Sequence, residues 1–344
     1  MKYTLGLLLL VLLGTSCFKK DDAVTLPPGY TEISSCFMGT DADHYSKQMY
    51  FDLSTNKFYE NQLQDWDICF QSSDDGFGVF INGGNGITVR KAELYNLNES
   101  KTNDVDNYIL LQNELVDASN GNPDQSAMGD WKTYKKPSGT GDTIHGIYFI
   151  ELGYITSRDR FKKLQIISVN DSFFNVKICA LDSNNASIIK IPKNKTQNFT
   201  YYSFKNKGSI VNLAEPPKNE WDFVFTKYRT TIPNPPTTIL YTLTGVLNNP
   251  NNVAVYMEKV VKFDDINANS ISNLNFNTDR DAIGYDNWKT FDYINGAKGR
   301  YTVHPEITYI IRDTDNKFYK LRFLDFYDKA DRTGNPKFEF IRIK

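Results

Sequence analysis

Three histidines are the residues of this chain best suited to acid–base or metal chemistry. They are His44, His145 and His304. His145 follows Thr-Ile and His304 follows Thr-Val, and each stands just before a predicted strand. Two interpretations follow from this similarity. Each histidine is a hydrogen-bonded residue at a strand edge, which we favour, or the two form a pseudo-symmetric ligand pair, which requires both to face one cavity.

Cys17 carries a different chemistry, because the residues before it are typical of a lipoprotein signal. Met1-Lys2 precedes an apolar run from Leu5 to Leu13 and then small residues. The run is too short for a permanent transmembrane helix. We therefore predict a signal peptide over residues 1–16, acylation of Cys17, and a lipidated tether over residues 17–30.

The tether also bears on the location of the protein. Residues 18–22 read "FKKDD", which resembles the Lys/Asp-rich tag that directs lipoproteins of the Bacteroidota to the cell surface. A plain solvated linker is the alternative interpretation. We expect a lipid-anchored protein of the outer membrane, at the cell surface, with the periplasmic face as the other option.

Motifs for catalysis are absent from the sequence. It contains no GxSxG, no HExxH and no Walker Gly-Lys-Ser/Thr, and "INGGNG" at 81–86 lacks the spacing of a dinucleotide-binding loop. "DTDN" at 313–316 lacks the following Gly and the distal Glu of a calcium loop, so we interpret it as a polar turn. We therefore expect a protein that is not an enzyme.

The composition favours β-structure. The 344 residues are 40% hydrophobic and 14% aromatic, and their formal net charge of −2 gives no electrostatic reason to bind nucleic acid. Apolar residues alternate with period two, and turn residues separate the runs. These features predict an all-β fold with few or short helices.

Several phrases occur twice in the same order, which indicates an internal duplication. The clearest pairs are "DWDICF" at 65–70 with "EWDFVF" at 220–225, "GDWKTY" at 129–134 with "DNWKTF" at 286–291, and "RFKKLQIISV" at 160–169 with "KFYKLRFLDF" at 317–326. We therefore predict two tandem β-sandwich-like units, an N-terminal one over residues 31–195 and a C-terminal one over residues 196–344. In this interpretation, Trp66 and Trp221 each lie in the core of one unit, and Trp66 shares a strand face with Ile68 and Phe70.

The duplication also constrains the other cysteines. Cys36, Cys69 and Cys179 allow at most one disulfide. Cys69 aligns with Val224, and Cys179 aligns with Ile341. Positions that accept Val or Ile are packing sites, so we expect these two residues to be buried thiols rather than nucleophiles.

The C-terminal copy resembles the HmuY family of Bacteroidota surface lipoproteins. The resemblance covers about residues 199–344 and depends on "EWDFVF", on "DNWKTFDY" and on "KFYKLRFLDFYD", while a fainter copy covers about residues 45–180. Characterised members are all-β haem-binding proteins. The resemblance thus implies haem as a cofactor and an outer-membrane receptor or a host haem protein as a partner.

The same resemblance implies candidate ligands. Tyr293 stands where some members have an axial histidine after the Trp-x-x-Phe block, and a tyrosine phenolate is a known haem ligand. His304 is a reserve candidate, and we expect haem binding to depend on Tyr293 more than on His145 or His304. The alternative function is a non-enzymatic adhesion or assembly module that binds a protein or a glycan. Two or more of His, Met or Tyr converging on one apolar pocket of about 300–1,000 Å³ would favour haem, whereas a flat exposed aromatic patch would favour the module.

Overall fold

β-strands dominate the described part of the chain, which confirms the predicted all-β fold. This computed structural model describes residues 27–92, 94–97, 114–137, 139–141, 143–181, 183, 185–294 and 298–344. The predicted signal peptide and Cys17 lie outside the described residues. The helical segments with described bounds are short 3₁₀ turns: Leu63–Asp65, Gly83–Asn85, Pro123–Gln125, Arg158–Arg160, Lys205–Lys207, Phe263–Asp265 and Ala268–Ile271.

The strands of the first half are β1 (Thr31–Ser35), β2 (Lys47–Asp52), β3 (Lys57–Gln62), β4 (Ile68–Gln71), β5 (Val79–Ile81), β6 (Thr88–Lys91), β7 (Lys135–Pro137), β8 (Thr143–His145), β9 (Tyr148–Glu151), β10 (Phe161–Val169) and β11 (Phe173–Ala180). Those of the second half are β12 (Ser187–Pro192), β13 (Phe199–Ser203), β14 (Ser209–Val211), β15 (Phe223–Asn234), β16 (Thr237–Asn248), β17 (Ala254–Glu258), β18 (Lys289–Ile294), β19 (Lys298–Val303), β20 (Thr308–Arg312), β21 (Phe318–Tyr327) and β22 (Thr333–Arg342).

Two β-sandwiches with the same arrangement account for most strands. Sandwich I packs the sheet β12-β11-β10-β9-β6 against the sheet β14-β13-β4-β5. Sandwich II packs β1-β22-β21-β20-β17 against β16-β15-β2-β3. Alternate residues fill the cores: Ile68 and Phe70 of β4 lie in the core of sandwich I, and Phe223 and Phe225 of β15 lie in that of sandwich II. Hairpins β7–β8 and β18–β19 form separate two-stranded sheets.

The strand pairing divides the chain at different places from the predicted units. Sandwich I is one continuous segment from β4 to β14, whereas sandwich II combines β1–β3 with β15–β22. Hairpin β2–β3 pairs with β15, and its counterpart β13–β14 pairs with β4. The predicted division between residues 195 and 196 lies between β12 and β13. It therefore separates hairpin β13–β14 from sandwich I, and it separates β1–β3 from the other strands of sandwich II.

The aspartate of the repeated Trp-Asp phrase holds this hairpin in both sandwiches. Asp222 accepts a hydrogen bond from the backbone N–H of Leu53, directly after β2, at 2.8 Å. Asp67 accepts one from the N–H of Phe204, directly after β13, at 2.6 Å. Both aspartates are buried. The phrase therefore recurs because each sandwich must anchor a hairpin that belongs to the other repeat.

Trp66 and Trp221 both lie outside the cores between the paired sheets. β4 begins only at Ile68, so Trp66 precedes the strand and packs with Cys69 and Tyr201 on the outer face of its sheet. Trp221 packs with Tyr50 on the corresponding outer face in sandwich II. Trp221 is buried in an apolar cluster as expected, although this cluster lies outside the core between the two sheets. Trp66 is only partly buried and does not share a strand face with Ile68 and Phe70, so that expectation was wrong. Both indoles lie beside the contact between the sandwiches.

Candidate functional site

Tyr293 and His304 lie at opposite ends of the β18–β19 hairpin. Tyr293 pairs with Gly299 near the hairpin turn, and its side chain lies outside the described part of the structure. His304 follows β19 at the hairpin base, and its N–H donates to the carbonyl of Trp288 at 2.9 Å. The two positions are therefore separated by about five strand residues, or roughly 16 Å.

Both ring nitrogens of His304 already have partners. Nε2 lies 3.2 Å from the hydroxyl of Thr290, and Nδ1 lies 3.2 Å from the carboxylate of Glu306. A ligand at either nitrogen would have to displace one of these contacts. His304 thus matches the favoured interpretation of a hydrogen-bonded histidine at a strand edge.

His145, the equivalent residue of sandwich I, differs at the ring nitrogen that a metal would use. Its Nδ1 lies 3.0 Å from the carbonyl oxygen of Trp131, and the two rings pack at 5.3 Å. A carbonyl only accepts, so this bond fixes Nδ1 as the donor and leaves the lone pair on Nε2. Metal-ligating histidines are commonly held by such a bond from the other ring nitrogen. Nε2 itself makes no hydrogen bond within the described structure.

Trp131 is itself held in place, so its carbonyl is a fixed acceptor. The indole is 4% exposed, and its Nε1–H donates to the carbonyl of Phe77 at 3.1 Å. Gln165, also buried, donates from its amide to the carbonyls of both Tyr95 and His145. One side chain of β10 therefore joins the two segments that carry Tyr95 and His145.

A cavity opens beside His145 on sandwich I. Its volume is about 610 Å³, and its described lining residues are Tyr95, Asn96, Leu97, Lys136, Thr143, Ile144, His145, Gln165, Ile167, Lys177 and Ala186. This volume lies in the range of small-molecule and cofactor sites. A histidine and a tyrosine thus line one pocket of the expected size, but the lining is largely polar, whereas the expectation for haem was an apolar pocket.

Charge at this cavity is positive. Lys136 and Lys177 are both lining residues, and the ammonium of Lys136 lies 4.6 Å from the centre of the Tyr95 ring. No acidic side chain is among the described lining residues. The cavity therefore combines one available imidazole nitrogen, an aromatic ring and two cations, which suits an anionic ligand with a metal centre.

Sequence reasoning missed this site, although one signal was readable. Glu306 stands two residues after His304 and occupies one ring nitrogen, whereas no acidic residue follows His145 until Glu151. The absence of a nearby acidic residue in the sequence indicated that the ring of His145 has fewer neighbours to hydrogen-bond with than the ring of His304. Tyr95 gave no signal, because only the fold brings it next to β8.

The remaining chemical candidates are structural. Cys69 and Cys179 are buried as predicted, and Cys36, Cys69 and Cys179 are all free thiols. Burial raises the pKa of the Cys69 thiol well above its ordinary value, which disfavours the reactive thiolate. Within the described ranges, no group of three or more His, Cys, Asp or Glu side chains is placed to hold a metal ion. None of the described helical segments is long and apolar enough to cross a membrane.

Comparison with solved structures finds weak similarities along most of the chain. Apo PinO from Porphyromonas gingivitis is 12% identical with a TM-score of 0.34, over 92% of this chain and 98% of that chain. An HmuY-like heme binding protein from Bacteroides vulgatus is 8% identical with a TM-score of 0.24, over 91% and 92%. The apo HmuY analog of Tannerella forsythia is 9% identical with a TM-score of 0.24, over 92% and 98%.

A search of curated proteins finds no match to this chain. Comparison with family models is more specific. The model of the HmuY family, described as HmuY protein, matches residues 195–340. This range contains the Trp-Asp strand β15, the Trp-x-x-Phe block before and within β18, and the aromatic strand β21. Residues 195–340 thus match the HmuY family model, which confirms the resemblance drawn from those motifs.

Proposed function

We propose that this protein is a non-enzymatic lipoprotein that binds haem at the His145 cavity. The observation that carries the proposal is the His145 ring, whose Nδ1 is held by the Trp131 carbonyl while Nε2 stays available beside a cavity of about 610 Å³. Haem supplies an iron that takes axial imidazole or phenolate ligands and carries two anionic propionates. The HmuY-family match over residues 195–340 and the haem-binding members of that family support the same ligand.

Each part of the group has a partner in this cavity. His145 Nε2 would hold the iron, and Tyr95 would supply a second oxygen donor or an aromatic surface for the ring system. Lys136 and Lys177 supply the positive charge that propionates need. Ile144 and Ile167 contribute apolar surface to the same lining.

A haem titration followed by absorbance tests the proposal. The protein is residues 17–344 with Cys17→Ala, which keeps it in solution. We expect a saturable Soret change that His145→Ala abolishes and that Tyr95→Phe weakens or shifts. His304→Ala is the matched control and should leave the titration unchanged, because both nitrogens of that ring are already engaged.

The same titration tests the ligand that the resemblance implies. If Tyr293→Phe removes the spectrum and His145→Ala does not, haem binds at the β18–β19 hairpin instead. If the unsubstituted protein gives no spectral change, haem binding is rejected and the module function remains.

A second candidate function, binding of a protein or glycan partner, is favoured by exposed apolar residues on the outer hairpins. Beyond Thr230, the β15–β16 hairpin carries Ile239 at 40% exposure and Tyr241 at 49%, and Phe291 of β18 is 46% exposed. Large exposed apolar side chains close in the fold are typical of interaction surfaces. This function is tested with a glycan array and a host-protein pull-down. Each compares the parent with a Tyr241→Ser/Phe291→Ser variant. Equal binding by the parent and the variant argues against this surface.

The location and the onward partner are also proposals. We propose that lipidated Cys17 anchors the protein in the outer membrane at the cell surface, where it passes haem taken from a host haem protein to an outer-membrane receptor. Palmitate labelling and membrane fractionation of Cys17→Ala test the anchor. Unchanged labelling in that variant would exclude Cys17 as the acylated residue.

A further inference from the structure

A second cavity lies between the two sandwiches, away from His145. We call it the inter-sandwich cavity. Its wall on sandwich II comes from the outer face of β2, β15 and β16, and its wall on sandwich I comes from the outer face of β4, β5 and β13. Tyr50, Val224 and Leu247 face Cys69, Phe80 and Tyr201 across it.

The cavity has room for a small molecule. Its volume is about 90 Å³, and a single water needs roughly 10–15 Å³ of such space. Aromatic rings form much of the wall, and ligand sites occur preferentially at interfaces between domains. Direct contacts hold the walls together, since the Tyr50 hydroxyl donates to the Ala214 carbonyl at 3.1 Å and Trp66 Nε1–H donates to Gln48 Oε1 at 2.9 Å.

Three cationic residues line this cavity: Lys227, Arg229 and Arg280. Arg280 is the one whose side chain packs on an aromatic ring of sandwich I. Its backbone N–H donates to the Asn120 carbonyl at 2.9 Å, which fixes the residue against sandwich I. The guanidinium makes one long bond, from Nε to the Asn248 carbonyl at 3.4 Å, and packs 5.4 Å from the Phe199 ring centre. Arg280 forms no ion pair with any described carboxylate, so its terminal nitrogens are available to a ligand.

Two buried acids interact electrostatically with Arg280: Asp117, which itself lines the cavity, and Glu215. Both carboxyl groups accept hydrogen bonds from backbone N–H groups. Asp117 accepts from the N–H groups of Ile81 at 2.7 Å and Ala127 at 2.8 Å. Glu215 accepts from the N–H of Phe199 at 2.9 Å. Desolvation by burial raises the pKa of each carboxyl to about 7. Neither acid therefore neutralises Arg280 as a contact ion pair.

Tyr228 gives the cavity a second unused polar atom. The residue is 8% exposed and lines the cavity, and its hydroxyl has no hydrogen-bond partner in the described structure. A buried hydroxyl without a partner costs about 1–3 kcal/mol. An oxygen of a bound molecule would recover part of that free energy.

We propose that the inter-sandwich cavity binds a small aromatic carboxylate, with the carboxylate on Arg280, the ring between the aromatic walls, and the Tyr228 hydroxyl as an additional donor. A guanidinium binds a planar carboxylate through two parallel hydrogen bonds. The enclosed aromatic walls favour a flat apolar body over a hydrated phosphate or sulfate. This site is independent of the haem proposal, because it shares no residue with the His145 cavity.

Benzoate is the probe, and benzyl alcohol is its neutral control of similar shape. Isothermal titration of the soluble full-length mature chain should show one-to-one binding of benzoate, with at least about tenfold weaker binding of benzyl alcohol. Benzoate should also change the fluorescence of Trp66, which lines the cavity. Equal affinity for the two probes, or no binding of benzoate, would overturn the proposal.

Two variants locate the site. Arg280→Gln should abolish benzoate binding, whereas Arg332→Gln, which alters an exposed arginine paired with Asp328, should leave it unchanged. Tyr228→Phe removes only one oxygen and should weaken benzoate binding severalfold even if Arg280→Gln fails to fold. If neither Arg280→Gln nor Tyr228→Phe reduces the affinity for benzoate, benzoate binds elsewhere and this site is rejected.

Discussion

Asp67 and Asp222 do the same structural work in the two sandwiches. Each lies directly after a tryptophan and accepts backbone N–H bonds from a hairpin that comes from the other repeat. Asp222 also accepts from the N–H of Thr314 at 3.2 Å, and Asp67 also accepts from the Ser203 hydroxyl at 3.0 Å. A buried carboxylate with several donors is well suited to fix a strand end that the sequence repeat alone does not specify.

Replacing this carboxylate should destabilise sandwich I. Asp67→Ala leaves the buried N–H of Phe204 and the hydroxyl of Ser203 without their acceptor, so we expect a loss of about 1–3 kcal/mol in the free energy of unfolding. Urea unfolding followed by circular dichroism measures it. Asp65→Ala, two residues earlier and exposed, is the control; an equal effect of the two substitutions would contradict the anchoring role.

Glu215 should make stability depend on pH. Burial raises its pKa to about 7 from the ordinary value of 4.5, so the folded state binds a proton that the unfolded state has already lost between these pH values. Its contribution is fully present below pH 4.5 and is lost as the pH rises through 7. Glu215→Gln keeps an acceptor for the Phe199 N–H and should remove a decline on the order of 3 kcal/mol over this range.

Unfolding free energies at pH 4.5 and pH 7.5 test this expectation. The parent and Glu60→Gln, which alters an exposed glutamate paired with Lys47, should show the same decline with rising pH. Glu215→Gln should show a smaller one. If the unfolding free energy of Glu215→Gln declines with pH as much as that of the parent, the decline comes from another group.

The Gly-rich turn between β5 and β6 is the element that seats sandwich I on sandwich II. Its residues Gly83–Asn85 form a 3₁₀ turn capped by the Asn82 side chain. A Cβ atom on Gly84 would lie 2.0 Å from the carbonyl oxygen of Lys227 in β15, and one on Gly83 would lie 3.0 Å from the Arg229 side chain. The glycines that resemble a nucleotide loop in sequence thus permit close approach of two backbones.

Gly84→Ala should therefore disturb the contact between the sandwiches. We expect a loss of about 1–3 kcal/mol, because the carbonyl of β15 is backbone and cannot turn aside as a flexible side chain would. Thermal unfolding measures the effect. Gly139→Ala is the matched control, since a Cβ there meets nothing within 4 Å; similar melting temperatures for the two variants would show that the turn can move.

The whole molecule is an insertion rather than two consecutive units. Sandwich I occupies one continuous stretch, from β4 to β14, between the two segments that build sandwich II. β1 forms the edge of sandwich II beside β22, and β12 forms the corresponding edge of sandwich I beside β11. Because of this arrangement, the N-terminal segment and the C-terminal segment depend on each other for a complete core.

Fragments should reflect these spatial units. Residues 66–215 contain every strand of sandwich I, so this fragment should fold with dispersed amide resonances and a cooperative thermal transition. Residues 196–344 lack β1–β3, whose Met49 and Phe51 fill the core of sandwich II, and this fragment should not fold cooperatively. Adding a peptide of residues 27–64 should restore folding; cooperative folding of 196–344 alone would contradict the exchanged hairpin.

The sequence by itself determined the all-β class, the HmuY-related region and the burial of Cys69 and Cys179, and it predicted an internal duplication that the two similar sandwiches fit. These properties follow from local alternation and from comparison of one segment with another. These properties do not depend on which strands pair. In both β2 and β13, successive side chains point alternately to the sandwich core and to the outer face of the sheet. The pattern for each hairpin is therefore visible in the sequence, while the choice of its partner strand is not.

Only the tertiary structure decided that choice, and with it the sites. Two similar repeats offer each hairpin two similar cores, so strand pairing rests on long-range contacts such as Asp222 with Leu53. The same holds for the two equivalent histidines, since Glu306 and Thr290 engage His304 while the Trp131 carbonyl leaves Nε2 of His145 available. Arg280 and Tyr228 likewise meet only where two sheets from different parts of the chain face each other. Contacts between residues far apart in the chain depend on the three-dimensional path of the backbone, which local sequence patterns do not specify.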